Sequence, residues 1–349
     1  MHSVSSGIIF EKEQIERIFI NYAVETQKKI PEEQTRKKRV IVIAGPTCCG
    51  KSALALMLAE SLGGEIISAD SMQVYRGMDI GTAKPNKAEQ EQVPHHLIDV
   101  RDVTENFNVV DYYYEARRAC QIVHDRDNVP VVVGGSGFYI HSLLYGPPDG
   151  PPSVPEVRKS IEEEMARLGP EMMYERLEQL DRDYAKTITC HDKQKIVRAL
   201  EIITLTNQKV SKMPWKLRRR PLNYDFRCWF LQRPRENLYR RIEKRCDKMI
   251  LEGLIEEVSE LDKKGLRQNN SAAQAIGYRQ TLDFLNTQQT RDDYKHFVDK
   301  FKQSSRNYAK RQGTWFRQEP MFRHLDLDLH DPETAVDIIG QDYESWPWE

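Results

Sequence analysis

Runs of consecutive apolar residues, three of them ended by a glycine or a carboxylate, set the framework of this chain. Val40-Ile41-Val42-Ile43-Ala44 has the length and β-branched content of a strand buried on both faces. Ile66-Ile67, Val131-Val132-Val133 and Cys228-Trp229-Phe230-Leu231 repeat that signature. Between them the period changes to that of amphipathic helices: Leu54, Leu56, Met57 and Leu58 after the first run, and residues 108–125, with Asn108 or Asp111 as N-cap, before the third. Strands alternating with helices predict an α/β fold built on a parallel sheet. The run Gly146-Pro147-Pro148-Asp149-Gly150-Pro151-Pro152 breaks all regular structure, and beyond it lies a long helical stretch with Ile161, Met165 and Leu168 on one face, then Met173, Leu177 and Leu180. That stretch reads as an insertion, after which the sheet resumes and helices follow at residues 236–261 and 292–316.

The divisions expected from this pattern are an N-terminal extension over 1–36, with a helix at 11–29, and a P-loop-type α/β core over 37–147 and 220–318. A helical insertion over 148–219 and an acidic tail over 319–349 complete the chain. No apolar run approaches the ~18 residues of a membrane span, no secretory signal is visible, and the six cysteines are irregularly spaced. The expectation is a soluble cytoplasmic protein with free thiols and no membrane partner, acting as a monomer.

Net charge is −1, yet the charge is unevenly placed. Residues 186–220 carry ten Lys/Arg against two acids, 227–248 eight against three, and 302–317 five against none, whereas 319–349 hold nine acids against Arg323. Three basic stretches in a near-neutral chain predict a polyanion footprint.

Chemistry concentrates where the apolar runs end. After the first comes Gly45-Pro46-Thr47-Cys48-Cys49-Gly50-Lys51-Ser52, which fits G-x-x-x-x-G-K-[ST] between a strand and a helix. Its glycines let backbone N–H groups approach anionic oxygens, Lys51 can reach terminal phosphates, and Ser52 can complete the shell of a Mg²⁺ ion. The second run ends in Asp70, and the third in Gly134-Gly135-Ser136-Gly137. Ligands of open α/β sheets bind outside the carboxyl ends of the strands, so Asp70 and Ser136 are expected to share a crevice with Lys51. A helix cap at Asp70 and a plain tight turn at Gly134 are the alternatives. His95 and His96 lack further ligands at metal spacing and read as loop or structural residues. The loop alone means phosphate binding. A small-molecule kinase would explain it without explaining the basic insertion, and an RNA-associated ATPase without group transfer remains a further reading.

Taken together, residues 45–52, Ser68-Ala69-Asp70-Ser71-Met72-Gln73-Val74-Tyr75, Gly81-Thr82-Ala83-Lys84-Pro85, residues 94–99, residues 134–139, Ile196-Val197-Arg198-Ala199-Leu200-Glu201, Ala275-Ile276-Gly277-Tyr278-Arg279-Gln280 and Ala309-Lys310-Arg311-Gln312 resemble the tRNA dimethylallyltransferases. The resemblance covers residues 38–318, and the lack of a zinc-finger tail suits the bacterial type. It implies transfer of the dimethylallyl group of dimethylallyl pyrophosphate to N6 of adenosine 37, beside the anticodon of tRNAs reading codons that begin with U. It further implies Mg²⁺ as cofactor and the tRNA anticodon stem-loop as partner, with Asp70 as general base and Gln73 against the adenine. Ser136 would bond the leaving or attacking atoms, Arg245 would hold phosphate, and Ser71, Lys193, Gln194, Arg198, Arg311 and Gln312 would join Gln73 in contacting tRNA. Two departures stand out: Ser136 replaces the more common Thr, losing the methyl that fixes the rotamer, and Cys48-Cys49 replaces small residues of the loop.

Overall fold

The computed structural model describes residues 37–148, 150–213 and 223–345. The helix expected at 11–29 and the basic residues at 216 and 218–220 lie outside them. Six strands, β1 (Lys38–Ala44), β2 (Gly64–Ala69), β3 (His95–His96), β4 (Val129–Gly134), β5 (Tyr224–Gln232) and β6 (Phe322–Asp326), form one sheet of order β3-β2-β4-β1-β5-β6. Every pairing in it is parallel. The central strands are apolar on both faces because helices cover both; Val40, Ile41, Val42 and Ile43 are wholly buried.

The register decides where chemistry can gather. Ala44 of β1 and Ala69 of β2 both pair with Gly134 of β4. Gly45, Asp70 and Gly135 therefore leave the sheet side by side, at its carboxyl edge. The helix Lys51–Leu62 follows β1 directly, and Asn108 caps the helix Val109–Asp125 through a capping box with Asp111.

Two expectations change. The helix read over 236–261 is two, Arg235–Leu251 and Leu254–Lys263, because Gly253 sits at φ +102° between them, a conformation that ends a helix. The described residues 319–345 are not a mere tail. They supply β6 and the helix Pro332–Glu344, and Phe322, Leu325, Leu327, Ala335 and Ile339 join the main core. Asp328, Asp331, Glu333, Asp337 and Glu344 are exposed, so the number of acids masked a buried apolar stripe.

The described residues 148 and 150–213 belong to a compact unit separate from the one that holds the sheet. Its helices Pro155–Leu168, Pro170–Leu180 and Lys193–Thr206 bury Val157, Ile161, Met173, Leu177, Ile196 and Leu200 in a separate core. The carboxylate of Glu201, fully buried, accepts hydrogen bonds from Ser153 Oγ (2.6 Å), Val154 N (2.8 Å) and Arg198 Nη1 (2.7 Å). Arg198 also donates to Pro151 O. The Arg198 guanidinium neutralises a carboxylate that could not otherwise stay buried, and its side chain remains 33% exposed. Lys193 and Gln194, one turn earlier, are exposed.

Candidate functional site

The loop after β1 is shaped from behind. Cys48 takes a left-handed conformation (φ 66°) and Gly50 one that favours glycine (φ 111°), turning the chain into the helix that begins at Lys51. Arg233 Nε donates to Cys49 O (2.7 Å) and Arg241 Nε to Cys48 O (2.9 Å). Carbonyls that face away from a phosphate are thus held by cations. Arg233 is fixed in turn by Leu327 O and Asp328, and Asn237 holds the same carboxylate (2.6 Å). Arg245, one helical turn from Arg241, brings Nη1 to 3.7 Å from Cys48 Sγ.

Gln312 ties this loop to the glycine cluster after β4. Its Oε1 accepts from Thr47 N (2.9 Å) and its Nε2 donates to Gly135 O (2.9 Å). A Cβ at position 135 would collide with that amide, which is why glycine stands there. Gln312 is buried, with both ends of its amide engaged. It acts as a strut between two ligand loops, on the wall of the larger cavity.

Asp70 leaves β2 with Oδ1 accepting from Met72 N (2.8 Å), which closes a tight turn. Ser136 Oγ accepts from Ser71 N (3.2 Å) and lies 3.4 Å from Ser71 Oγ. Gln73 accepts from Ser68 Oγ (2.9 Å), while its Nε2 faces Thr82 O (3.3 Å) and Ala83 O (3.4 Å). Those carbonyls belong to a loop that reads as irregular in sequence but is firmly held. Glu257 accepts from Asp79 N, Ile80 N, Gly81 N and Tyr278 Oη (2.6–3.2 Å), and Lys84 bridges Asp79 and Asp99 (2.6 Å each).

Two cavities open on these loops. The larger, about 820 Å³, is charged and is lined by Lys51, Ser52, Lys84, Lys87 and Lys248. The smaller, about 290 Å³, has an apolar wall of Met72, Ile242, Ala275, Ile276 and Phe301. Six residues line both: Thr47, Asp70, Thr82, Arg245, Met249 and Tyr308. Asp70 and Lys51 thus face one space, and Arg245 stands where the two meet. Arg311 lines the smaller cavity and Gln312 the larger.

Electrostatics keep the neighbouring thiols and phenol neutral. Burial pushes the Cys49 thiol up and that of Cys246 up to about 11. Burial and then the Asp70 charge push the Tyr308 phenol up to about 12. No disulfide joins the cysteines; Cys49 is buried behind the loop while Cys48 lines the smaller cavity.

The residues fit a Mg²⁺ ion of the kind that binds through phosphate. Mg²⁺ keeps several waters and needs only one or two protein oxygens. Ser52 is exposed to the larger cavity in the first turn of its helix, and Asp70 lines the same space. Among the described residues no cluster of three His, Cys, Asp or Glu side chains could cage a metal. His96 instead bonds Glu65 (2.6 Å) at the opposite end of β2, beside Arg126 and Asn128.

The basic stretches are partly engaged inside the fold. Beside Arg233 and Arg241, Lys302 pairs with Asp247 (2.6 Å) and Arg306 with Glu243 (2.6 Å). Lys310 and Arg311 stay exposed. Sequence reading missed Tyr308, Thr82 and the two loop-holding arginines. The i, i+4 spacing of Arg241 and Arg245 was the one available signal for the last.

A family model described as IPP transferase matches residues 73–319. The chain is 67% identical over 335 residues to a protein of Protochlamydia amoebophila named tRNA dimethylallyltransferase, covering 96% of this chain and 97% of that protein. It is 46% identical over 308 residues to a protein of the same name from Chlamydia felis, covering 88% and 90%. Among solved structures it resembles the full-length tRNA isopentenylpyrophosphate transferase of Bacillus halodurans (TM-score 0.64, 36% identity, 88% of this chain and 97% of that one). It also resembles a eukaryotic dimethylallyltransferase acting on tRNA (TM-score 0.73, 28% identity, 90% and 81%).

Proposed function

The chain belongs to the IPP transferase family and catalyses dimethylallyl transfer to tRNA, and from that premise we propose how its residues divide the work. The donor is dimethylallyl pyrophosphate and the acceptor is N6 of adenosine 37 in tRNAs that read codons beginning with U. The enzyme acts in the cytoplasm. The observation that carries this reading is the meeting of a charged and an apolar cavity at Asp70, Thr47 and Arg245.

The N–H groups of residues 45–52 and the Lys51 ammonium bind the diphosphate, and the apolar wall receives the five-carbon chain. Cleavage of the C1–O bond throws charge onto the diphosphate, so cations fixed before the reaction stabilise that charge as it develops. Arg245, beside Cys48, fits this role. The N6 lone pair forms the new bond to C1, and Asp70 takes the proton that N6 loses. An aromatic amine is a weak nucleophile, and a carboxylate within reach is worth about 10²–10⁴ in rate. Ser136 hydrogen-bonds the departing oxygen. Mg²⁺, held by Ser52 and the diphosphate, would supply further neutralising charge.

The adenine stacks in the anticodon loop and must be extruded to reach Asp70. Ser71 and Gln73 lie beside Asp70 in sequence and meet the extruded base. Lys193, Gln194 and Arg311 carry exposed polar or cationic groups for the RNA backbone, and such contacts give salt-sensitive affinity.

The test is incubation with labelled dimethylallyl pyrophosphate or labelled ATP, with and without tRNA, followed by nuclease digestion. Label recovered in N6-modified adenosine from the isoprenoid donor alone supports the assignment. ATP turnover without such label would favour a kinase or an ATPase.

A further inference from the structure

The loop at residues 79–83 is held by a carboxylate that has no part in the chemistry above. Glu257 lies in the first turn of the helix Leu254–Lys263. Its Oε2 accepts from Asp79 N (3.0 Å) and Ile80 N (2.7 Å), and its Oε1 from Gly81 N (3.2 Å) and Tyr278 Oη (2.6 Å). Three successive N–H groups converging on one anion form the kind of nest that elsewhere takes a phosphate oxygen, and here the chain fills it with its own side chain. Tyr278 opens the helix Tyr278–Leu285, is wholly buried and lines the smaller cavity. A Cβ at position 81 would lie 2.4 Å from its ring, so glycine there lets the loop rest directly on Tyr278. The other bonds of the loop are local: Ala83 N donates to Ile80 O and Lys84 N to Asp79 O (3.0 Å each), and the Lys84 ammonium reaches Tyr75 O, Asp79 and Asp99. Those bonds give the loop its shape. Glu257, 178 residues from Asp79, fixes where that shape sits.

What the loop presents is a pair of carbonyls. Gln73 Nε2 faces Thr82 O (3.3 Å) and Ala83 O (3.4 Å), while Gln73 Oε1 accepts from Ser68 Oγ (2.9 Å). A serine hydroxyl can donate or accept, so Ser68 does not choose between the two orientations of the amide. Carbonyl oxygens only accept, and a flipped amide would set its own oxygen against two of them. The loop therefore decides which way the amide of Gln73 is turned. Gln73 lines the larger cavity together with Asp70. An amide with its oxygen and its N–H in fixed order is what a glutamine needs to read the edge of adenine.

We propose, resting on the reading above that Gln73 meets the extruded base, that Glu257 is a positioning residue for adenine recognition: by clamping residues 79–81 it sets the carbonyls of Thr82 and Ala83 that orient the Gln73 amide. Glu257 itself lines neither cavity, so its replacement acts on transfer through Gln73. Glutamine at position 257 nearly keeps the shape but turns a donor toward groups that are themselves donors. At least one backbone N–H of the loop then loses its partner.

The experiment is single-turnover transfer from dimethylallyl pyrophosphate to a tRNA substrate by the full chain and by Glu257→Gln, Gln73→Met and the double variant, with thermal melting as the check on folding. Glu257→Gln should slow the chemical step about 5- to 30-fold while KM for dimethylallyl pyrophosphate moves by less than about twofold. In the Gln73→Met background, where no amide remains to be oriented, the same change should cost less than about twofold. If Gln73→Met is slow and Glu257→Gln still adds its full factor, Glu257 serves the fold at large and the inference falls while the role of Gln73 stands. An unchanged rate in Glu257→Gln also overturns it, as does a raised donor KM with the chemical step intact. If Gln73→Met keeps the parental rate and tRNA affinity, the role of Gln73 and the inference fall together. Should Glu257→Gln fail to fold, Tyr278→Phe, which removes one of the four hydrogen bonds and keeps the ring under Gly81, decides in its place. It should slow the step about two- to fivefold, again only while Gln73 is present, and an unchanged rate in it overturns the inference.

Discussion

Replacing Gln312 by leucine separates an internal strut from an RNA contact. The amide joins Thr47 N to Gly135 O by two 2.9 Å hydrogen bonds inside the core, and leucine has nearly its volume but neither polar end. Each buried group left without a partner costs about 1–3 kcal/mol, so the pair amounts to roughly 2–4 kcal/mol, discounting for partial relaxation. In a chain of 349 residues that lowers the melting midpoint by several degrees. The kinetic effect should fall on the loop that binds the diphosphate. Even a third of that energy, expressed as misplacement of Thr47, raises KM for dimethylallyl pyrophosphate by about three- to ninefold at 1.4 kcal/mol per decade. The tRNA affinity, measured by filter binding, should stay within about twofold because a buried side chain makes no contact with a polyanion. Unchanged melting and donor KM, with weakened tRNA binding, would refute the strut and favour the tRNA contact.

Three further outcomes follow. Lys51→Ala should raise KM for dimethylallyl pyrophosphate at least about tenfold, the worth of one charge-assisted contact, and leave tRNA affinity intact; steady-state kinetics in each substrate decide this. Burial alone would raise the Glu65 carboxyl, but hydrogen bonds from His96, Asn128 and Arg126 hold it below its ordinary range. A carboxyl depressed in the folded state stabilises above its unfolded value and loses that contribution as pH falls through the folded one. Melting scanned downward from pH 6 should therefore fall less steeply for Glu65→Gln than for the parent, and parallel curves would contradict it. Neutralising Lys193, Lys195, Lys209 and Lys212 to glutamine should weaken tRNA binding and flatten its salt dependence, by up to about 0.7–0.9 in log–log slope for each phosphate no longer neutralised; an unaltered slope would remove the helical unit from the interface.

The parts of the site that could be read from sequence are those that local spacing dictates. Residues 45–52 lie between a strand and a helix, and that order forces the loop to the sheet edge. Asp70 and Ser136 follow because each ends an apolar run, and parallel register brings such ends together; Ala44, Gly134 and Ala69 show this directly. What was illegible depends on partners distant in sequence. Gln312 meets groups 265 and 177 residues away, and no period in its helix distinguishes a strut from a solvated amide. Arg198 belongs to a stretch rich in cations, and nothing in that stretch shows that a buried Glu201 three residues on pairs with it. Residues 319–349 misled because nine acids outweighed a short edge strand, in which only Phe322 and Leu325 are buried. Tyr308 is one of fifteen tyrosines, and only folding places it between two cavities.

The most direct measurement is single-turnover transfer of labelled dimethylallyl to tRNA by Asp70→Ala. If Asp70 takes the proton from N6, the rate should fall by about 10²–10⁴ while tRNA affinity stays within about twofold. A variant that transfers label at the parental rate would contradict the assignment of Asp70 as the base, and with it the reading of the two cavities as meeting at the reacting atoms.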